Sequence, residues 1–592
     1  MIQKTPSSND QTPLGDLSKP SKVETAKVKG RNLRGTIVEV LQDPEKDAFE
    51  HDDLQLLKFH GTYQQDDRDL RSSRRKEGLG KAYSFMIRIA LPGGVMTGQQ
   101  YLDVDRMCDE WANGTIRLTT RQAIQFHGVI KNDLRQTMAK INESLMTTVA
   151  ACGDVCRNVM ATAAPFTDQI HETVRATAEE IAAELRPATK AYHEIWIDGK
   201  KEISTLEDEP FYGESYLPRK YKVGVTVMDD NQIDIYSYDA GLIGVVKNDE
   251  LIGWNVLAGG GLGMSHGREK TFAQIANQIG FVALQDGVAA IKNIASIYRD
   301  FGNRSDRKQA RLKYLINEKG LGWFQDEFKK RSRYELQPWH PIPEVKINDW
   351  LGPHQQDDQH WFYGVFVENG RIKDNDSIQL RTAFRKIVRE LNPGITLTAQ
   401  QSLLFTHLKK EDIPRLEAIL SENHVPLVNE LSGAVRYSMA CPALPTCGMA
   451  VAESERVAPQ VIREIESLLN QYGLREEPLT IRITGCPNGC ARPYTADIAL
   501  VGRRPGIYHL FVGGRLAGDR MADLYAADIN IEDTVETLRP LVREWAANRQ
   551  EGEGLGDFFQ RLLGRDAPRQ RVTGKETPSF EMVQSQLIQL QG

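Results

Sequence analysis

The 592-residue chain has no uninterrupted apolar run near the roughly 18 residues of a membrane span, and no short apolar core of a secretory signal at its start. Membrane-spanning and exported classes are therefore excluded, and a soluble, cytoplasmic protein is expected. Charge of one sign is also lacking. With 74 basic against 80 acidic side chains the net charge is −6, too balanced for a nucleic-acid binder that relies on a bulk positive field. Any cationic site must be local. The glycine-rich stretch Gly259 to Gly267 does not satisfy G-x-G-x-x-G and follows no clear strand-to-helix context, so no nicotinamide site is read there. It reads as a flexible loop that lets backbone amides approach an acidic group. The polar opening, Met1 to about Lys29, includes Asp10, Asp16 and Glu24, too acidic for a transit peptide, and reads as a disordered tail.

Cysteine is scarce, seven in all, and an odd, thinly spread set without an export signal argues against a disulfide framework. Cys108, Cys152 and Cys156 lie in the first half. Cys441, Cys447, Cys486 and Cys490 fall together as C-x5-C and C-x3-C, a metal-site candidate whose bland alternative is four buried small hydrophobes. Thr484-Gly485-Cys486-Pro487-Asn488-Gly489-Cys490 places Pro and Asn-Gly between two thiols, a turn that aims backbone amides at the object the sulfurs hold. Structural zinc favours tighter pairs. An iron–sulfur cube accepts wider, less regular spacings and is preferred, with zinc kept as the alternative.

The chain also repeats itself. Ile116-Arg117-Leu118-Thr119-Thr120-Arg121-Gln122-Ala123-Ile124-Gln125-Phe126-His127 lies without a gap over Ile395-Thr396-Leu397-Thr398-Ala399-Gln400-Gln401-Ser402-Leu403-Leu404-Phe405-Thr406. Each copy then enters an amphipathic helix, with Leu134, Met138, Ile141 and Leu145 in the first and Ile413, Leu416, Ile419 and Leu420 in the second, so each unit reads strand, strand, helix. In the first copy period two puts Ile116, Leu118, Ile124 and Phe126 on one side and Arg117, Thr119, Arg121, Gln125 and His127 on the other. A solvated strand face is the ordinary reading of such charge. The second copy keeps the apolar side but has Thr396 and Gln400 for the two arginines, so the positive charge belongs to one copy and points to an anionic ligand, for which arginine's planar fork is suited. The alignment is extended to Ala151-Cys152 over Ala440-Cys441 and Met160-Ala161 over Met449-Ala450, which sets Arg157 opposite Thr446. One half thus offers positive charge, the other thiolates. Lys220 and Lys222 share one face ahead of an apolar strand, where solvent is the ordinary reading. Arg71, Arg74, Arg75 and Lys76 are a solvated segment, with a docking patch as the alternative.

Taken together these residues resemble the family of sirohaem-containing sulfite and nitrite reductases, from about Leu33 to about Phe559. The resemblance rests on Phe59 to Asp69, Arg88 with Leu91-Pro92-Gly93-Gly94, Ile116 to Gly128, Cys441 and Cys447, Thr484 to Cys490, and Gly552 to Phe558. It implies a 4Fe-4S cluster on Cys441, Cys447, Cys486 and Cys490, with Cys490 also bridging to the sirohaem iron. Sirohaem carries eight carboxylates, and Arg117, Arg121, Gln125, His127 and Asn488 match family contacts to the cofactor. Arg88, Arg157, Lys220 and Lys222 match the family's substrate ligands. Near Asn303 to Arg311 the family supplies one more basic contact, taken as Arg311, with Lys308 and Lys313 left open. Cys156 beside Arg157 departs from the pattern, either as an ordinary buried thiol or as a redox-sensitive one.

The fold expected from the resemblance is α+β, in two pseudo-symmetric halves, each a ferredoxin-like half-domain plus a larger domain, with the cofactors at the junction. Expected boundaries are an N-terminal extension over 1–75 available for partner docking, half-domains over 76–150 and 346–430, and larger domains over 151–345 and 431–592. The implied activity is six-electron reduction of sulfite to sulfide, with electrons from a separate diflavin NADPH-oxidising subunit. Ferredoxin as donor, or nitrite as substrate, is the nearest rival. A non-enzymatic iron–sulfur or zinc scaffold is the rival from another class, and it leaves the charged strand without a purpose.

Overall fold

The computed structural model describes residues 19–197, 209–343, 345, 348–565 and 567–590. Both repeat units form as their patterns require. Ile116–Leu118 and Ile124–Val129 pair antiparallel and lead to the helix Leu134–Glu143; Gly394–Leu397 and Leu403–Leu408 lead to Ile413–Glu422. Leu134, Met138 and Ile141 are buried, but Leu145 falls past the end of its helix at positive φ and is 90% exposed. The turns between the strands match as well, with Gln122 and Gln401 both in the left-handed region and both buried. Each amide group holds the unusual backbone in place by bonding across the molecule: Gln122 Nε2 donates to Leu397 O, and Gln401 Nε2 to Asn369 O.

Each unit belongs to a five-stranded antiparallel sheet. The first runs Thr62–Asp66, Tyr83–Ile89, Ile124–Val129, Ile116–Leu118, Arg371–Ile372; the second runs Gly352–Gln355, Trp361–Val365, Leu403–Leu408, Gly394–Leu397, Val95–Thr97. The last strand of each comes from the other half of the chain. The halves are thus interlocked by exchanged edges, which also pairs backbone groups that would otherwise be an open edge.

Two larger sheets repeat the pattern. Met160–Ala161, Val223–Val227 and Ala240–Lys247 run parallel, and Glu250–Ala258 and Asn277–Ala283 return antiparallel. Ser438–Ala440, Ile481–Thr484, Ile498–Arg504, Ile507–Val512 and Asp523–Asn530 do the same in the same order. This symmetry corrects the extended alignment. Met160–Ala161 occupies the edge position of Met439–Ala440, at the spacing that relates Ile116 to Ile395, and not that of Met449–Ala450. Arg157, three residues before Met160, therefore has Arg436 rather than Thr446 at the matching distance before Met439. The Arg436 charge is taken by Asp349, at 2.5 and 2.9 Å.

The N-terminal tail is also corrected. Residues 1–18 lie outside the described residues, but Lys22–Lys29 is a helix with Val23, Ala26, Glu24 and Lys27 buried. Glu24 receives Arg304 at 2.6 Å and Lys27 at 2.6 Å, and Lys27 Nζ donates to Leu217 O. A buried ion pair of this kind fixes where a short helix docks, because an alternative placement leaves a charge unpaired.

Between the halves, Glu455 takes Arg117 on one side and Arg371 on the other, the latter at 2.7 and 3.0 Å. Burial alone pushes the Glu455 carboxyl up, but the two guanidiniums outweigh it and hold it at about 2. A carboxylate depressed below its ordinary value adds stability above about pH 4.5 and loses it as pH falls toward about 2. Glu455→Gln is expected to cost about 3–5 kcal/mol, the price of leaving Arg117 buried without its partner. Denaturant titrations across this pH range check it. The variant should also lose the wild type's extra acid sensitivity, and an unchanged midpoint would contradict the pairing.

Candidate cofactor and anion site

The polar side of the first repeat is buried, not solvated. Arg117, Gln125 and His127 are all buried, and Arg121 is half-buried. With the Gln125 amide turned so that its oxygen faces Arg88, that oxygen accepts from Arg88 Nη2 and Nε. His127 continues the chain, Nδ1 to Gln65 Oε1 and Nε2 to Gln125, each at 3.3 Å. Burial, and then Arg371 and Arg117, hold the His127 ring well below its ordinary value and so neutral. A neutral ring can donate at Nδ1 and accept at Nε2, as this chain of contacts requires.

The cations divide into two groups. Arg117 gives its charge to Glu455 and also donates to Ala440 O at 2.9 Å. Arg311 is paired with Asp239 through two bonds of 2.9 and 2.8 Å. In contrast, Arg88, Arg121, Arg157, Lys220 and Lys222 form no ion pair among the described residues. Arg88 Nη1 donates to Cys152 Sγ at 2.8 Å, and Arg157 to Gly153 O and to the Tyr63 hydroxyl at 3.1 and 3.4 Å. Arg121 stacks over Tyr238 and donates to Asn158 O, while its Nη1 is buried with no partner at all.

Arg121, Arg157, Lys220 and Lys222 are linked electrostatically. Burial, and then Arg311, Arg157 and Arg219, drives the Lys220 ammonium well below its ordinary value; burial, and then Lys220, Arg121 and Arg311, does the same to Lys222. Burial, with a further push from Arg157, lowers Arg121 to about 10. Half-buried cations kept together without an ion pair make this a candidate site for an anion. Of the three basic residues left open, Lys308 is exposed. Lys313 is buried, with its ammonium donating to Gly261 O and Gly263 O at 2.8 Å and to Phe272 O, and Arg311 is buried on Asp239.

The thiols gather in the other half. Ser438–Ala440 delivers Cys441, Ile481–Thr484 leads into the turn with Cys486 and Cys490, and Cys447 stands on the loop between. Burial, and then the Cys490 thiol, pushes Cys486 up to about 12 and raises Cys441 and Cys447, so the four sulfurs feel one another. Donors converge on them. Gly485 N–H donates to Cys441 Sγ and Asn488 Nδ2 to Cys486 Sγ, each at 3.4 Å, and the amides of Met449 and Ala450 serve Cys447. Four mutually repelling thiols with amides aimed at three of them fit an iron–sulfur cube, which takes one thiolate on each of several metal ions.

The two groups meet. Thr120, next to Arg121, donates from its hydroxyl to Cys490 O at 3.0 Å, and the charge of an ionised Cys490 acts on Lys220. The glycine-rich loop is not flexible but packed beneath this junction. Met264 N–H donates to Pro487 O at 2.8 Å, a Cβ at Gly263 would stand 3.1 Å from Asn488 O, and one at Gly260 would strike the Tyr236 and Tyr238 carbonyl oxygens. Its glycines serve close backbone approach to the cysteine turn.

Several residues here escape a reading of the sequence. Tyr63, Gln65 and Arg68 lie within Phe59 to Asp69, a stretch with no spacing that marks them as ligands. Asp239 and Glu455 are isolated acids whose partners, Arg311 and Arg117, stand far along the chain. Cys156, by contrast, is the ordinary buried thiol: its backbone bridges Tyr221, and burial pushes its thiol to about 12.

Comparison with known proteins agrees with this division. The family model described as nitrite and sulphite reductase 4Fe-4S domain matches residues 177–336 and 432–570, and the model described as nitrite/sulfite reductase ferredoxin-like half domain matches 78–144 and 353–423. The chain is 44% identical over 541 residues to the sulfite reductase (NADPH) hemoprotein beta-component of Staphylococcus carnosus, covering 91% of this chain and 95% of the relative. It is 43% identical over 541 residues to the protein of the same description from Myxococcus xanthus, covering 91% and 96%. The structure of the Mycobacterium tuberculosis NirA protein superposes with a TM-score of 0.74 at 23% identity, covering 93% of this chain and 96% of that one, a likeness of fold.

Thiol chemistry checks the geometry directly. In metal-free protein, iodoacetamide at neutral pH should alkylate the exposed Cys490 and spare Cys108 and Cys156, whose thiols burial holds near 12. Peptide mass spectrometry reads the pattern, and alkylation of Cys156 ahead of Cys490 would contradict it.

Proposed function

The chain belongs to the nitrite and sulphite reductase family, and from that premise we propose that it is the haemoprotein beta subunit of an assimilatory, NADPH-dependent sulfite reductase, an oxidoreductase. The observation that carries the reading is the set of five half-buried cations without an ion pair among the described residues, set against four cysteines from the other half.

Cys441, Cys447, Cys486 and Cys490 would hold the 4Fe-4S cluster, with Cys490, the exposed one at the junction, also reaching the sirohaem iron. Arg121, whose Nη1 lacks a partner, and Gln125, His127 and Asn488 would meet the sirohaem periphery. Arg117 and Arg311 share their charges with Glu455 and Asp239, so each would meet a cofactor carboxylate as an already paired guanidinium. When bound, the cluster and the sirohaem supply the one-electron redox chemistry that a protein side chain cannot.

The remaining work falls to this chain's own residues. Sulfite is small, strongly hydrated and largely dianionic near neutral pH, and leaving water costs it most where negative charge is already present. Arg88, Arg157, Lys220 and Lys222 offset that cost with charges whose own desolvation the fold has already met. The two arginines would orient the anion through their planar forks. Burial and neighbouring cations lower both lysine ammoniums below their ordinary value, so each Nζ would be a more acidic proton donor than a free lysine. A bound dianion would offset that repulsion, and each Nζ would then be a proton source for a sulfite oxygen leaving as water. Reduction of sulfite to sulfide takes six electrons, and the relatives described as NADPH hemoprotein beta-components support a separate flavoprotein subunit as their source. Ferredoxin as donor and nitrite as substrate are the rival outcomes of the same assay. Turnover with NADPH and a diflavin partner should exceed that with reduced ferredoxin, and kcat/KM for sulfite should exceed that for nitrite.

Lys220→Ala is expected to retain both cofactors by absorption spectrum and to lower kcat/KM for sulfite by roughly a hundredfold or more. Wild-type sulfite binding should take up protons and weaken as pH rises, because burial and neighbouring cations lower both lysine ammoniums and a bound dianion raises them again. Calorimetry in buffers of different ionisation enthalpy measures the uptake. Wild-type kinetics in Lys220→Ala, or binding without proton uptake, would sink this assignment.

A further inference from the structure

Arg68 lies outside both the thiol set and the anion-binding cations, on the segment that follows Thr62–Asp66 in the first half. Its Nη1 crosses to the cysteine half and donates to Cys447 O at 3.1 Å and to Ala450 O at 2.6 Å, while its backbone N–H donates to Pro445 O at 3.3 Å. These contacts bracket the loop that carries Cys447. That loop needs an outside hold more than the other ligand segments do. Cys441 follows a sheet strand directly, and Cys486 and Cys490 stand on a turn packed against the glycine-rich loop. Beside Cys447, Gly448 has open space around it and Met449 is 59% exposed.

The charge on Arg68 acts on Asp66 and Asp69 without pairing with either. Among the described residues it forms no ion pair: Asp66 is taken by Arg71 at 2.5 and 2.8 Å, and Asp69 by Arg456 at 2.6 Å. A half-buried, unpaired guanidinium therefore rests on the outer edge of the thiol quartet.

We propose that Arg68 is a positioning residue for the iron–sulfur cluster, clamping the Cys447 loop from the opposite half of the molecule and raising the cluster's reduction potential through its positive charge. The proposal rests on the cluster reading above. Reduction adds negative charge to the cluster, so a fixed cation nearby favours the reduced state, and hydrogen bonds and net charge outside the ligand shell are established levers on such potentials. The clamp and the charge are separable. A lysine keeps the charge but not the two-carbonyl reach of the guanidinium, and a glutamine loses the charge.

The test uses full-length, cofactor-loaded protein and reads iron retention in air and the cluster midpoint potential by redox titration followed by electron paramagnetic resonance. Arg68→Gln is expected to lose iron faster than wild type and to shift the potential to a more negative value. Arg68→Lys is expected to lose iron faster while keeping a potential closer to wild type. Arg75→Gln, an exposed change on the neighbouring helix Arg71–Lys76, serves as the control and should match wild type in both. If Arg68→Gln takes up no cluster but keeps the wild-type far-ultraviolet circular dichroism spectrum, the clamp is supported and Arg68→Lys decides the charge. Wild-type potential and iron retention in both Arg68 variants would overturn the proposal. Absence of iron from wild-type protein would overturn the cluster reading instead.

Discussion

Burying positive charge is costly, and the arrangement of this molecule follows from how that cost is met. Most deeply buried cations have an acid: Arg304 has Glu24, Arg117 has Glu455, Arg311 has Asp239, and Arg482 and Arg492 share Asp234. In each case the pair holds two segments distant in sequence, because the charge left behind by misplacing either would be worth several kcal/mol. Lys313 and Lys131 are buried on backbone carbonyls instead. Arg88, Arg121, Arg157, Lys220 and Lys222 differ from both groups, half-buried and without an ion pair among the described residues. A cluster of cations left without acids is the natural candidate for an anion. The cofactor's carboxylates and the substrate oxyanion are the charges that would complete it.

Duplication explains how one chain built both parts of the site. The backbone is close to two-fold symmetric, down to the left-handed Gln122 and Gln401 and the order of strands in the two larger sheets. The side chains are not symmetric. Arg121 faces Gln400, and Arg157 is unpaired where Arg436 is bound to Asp349. Near the symmetry axis stands Arg492, two residues after Cys490, which donates to Thr120 O at 3.0 Å and to Ala399 O at 2.9 Å, matching carbonyls of the two repeats. It ties the cysteine turn to both halves at once. The junction where thiols meet cations is therefore held by the symmetric part of the structure, while the chemistry resides in what broke the symmetry.

Much of this was legible in the sequence, and the limits have physical causes. The ungapped repeat exposed the strand–strand–helix units, since period two and period 3.6 are local signals. The loss of two arginines from the second copy pointed to the first as the candidate anion-binding half, and the Thr-Gly-Cys-Pro-Asn-Gly-Cys turn pointed to the other as the candidate cluster half. The extended alignment slipped by ten residues because a short Ala-Cys match outweighed a two-residue strand whose place is set by pairing. The helix Lys22–Lys29 reads as part of a tail because its few buried residues include a lysine and a glutamate, whose partners besides each other, Arg304, Asp154 and the Leu217 carbonyl, lie far along the chain. Asp239, Glu455 and Arg68 carried no local signal at all. Their importance is a property of three-dimensional neighbours, and charge complementarity between distant segments is invisible to spacing.

The account depends on an iron tetrapyrrole and an iron–sulfur cube sharing the junction at Cys490. The most direct measurement is the content of iron, acid-labile sulfide and extractable tetrapyrrole in protein made by a host that synthesises sirohaem. Iron should exceed sulfide, and the excess should equal the extracted sirohaem, with a haem absorption spectrum to match. A colourless protein carrying zinc, or one with iron and sulfide in equal amounts and no tetrapyrrole, would contradict it.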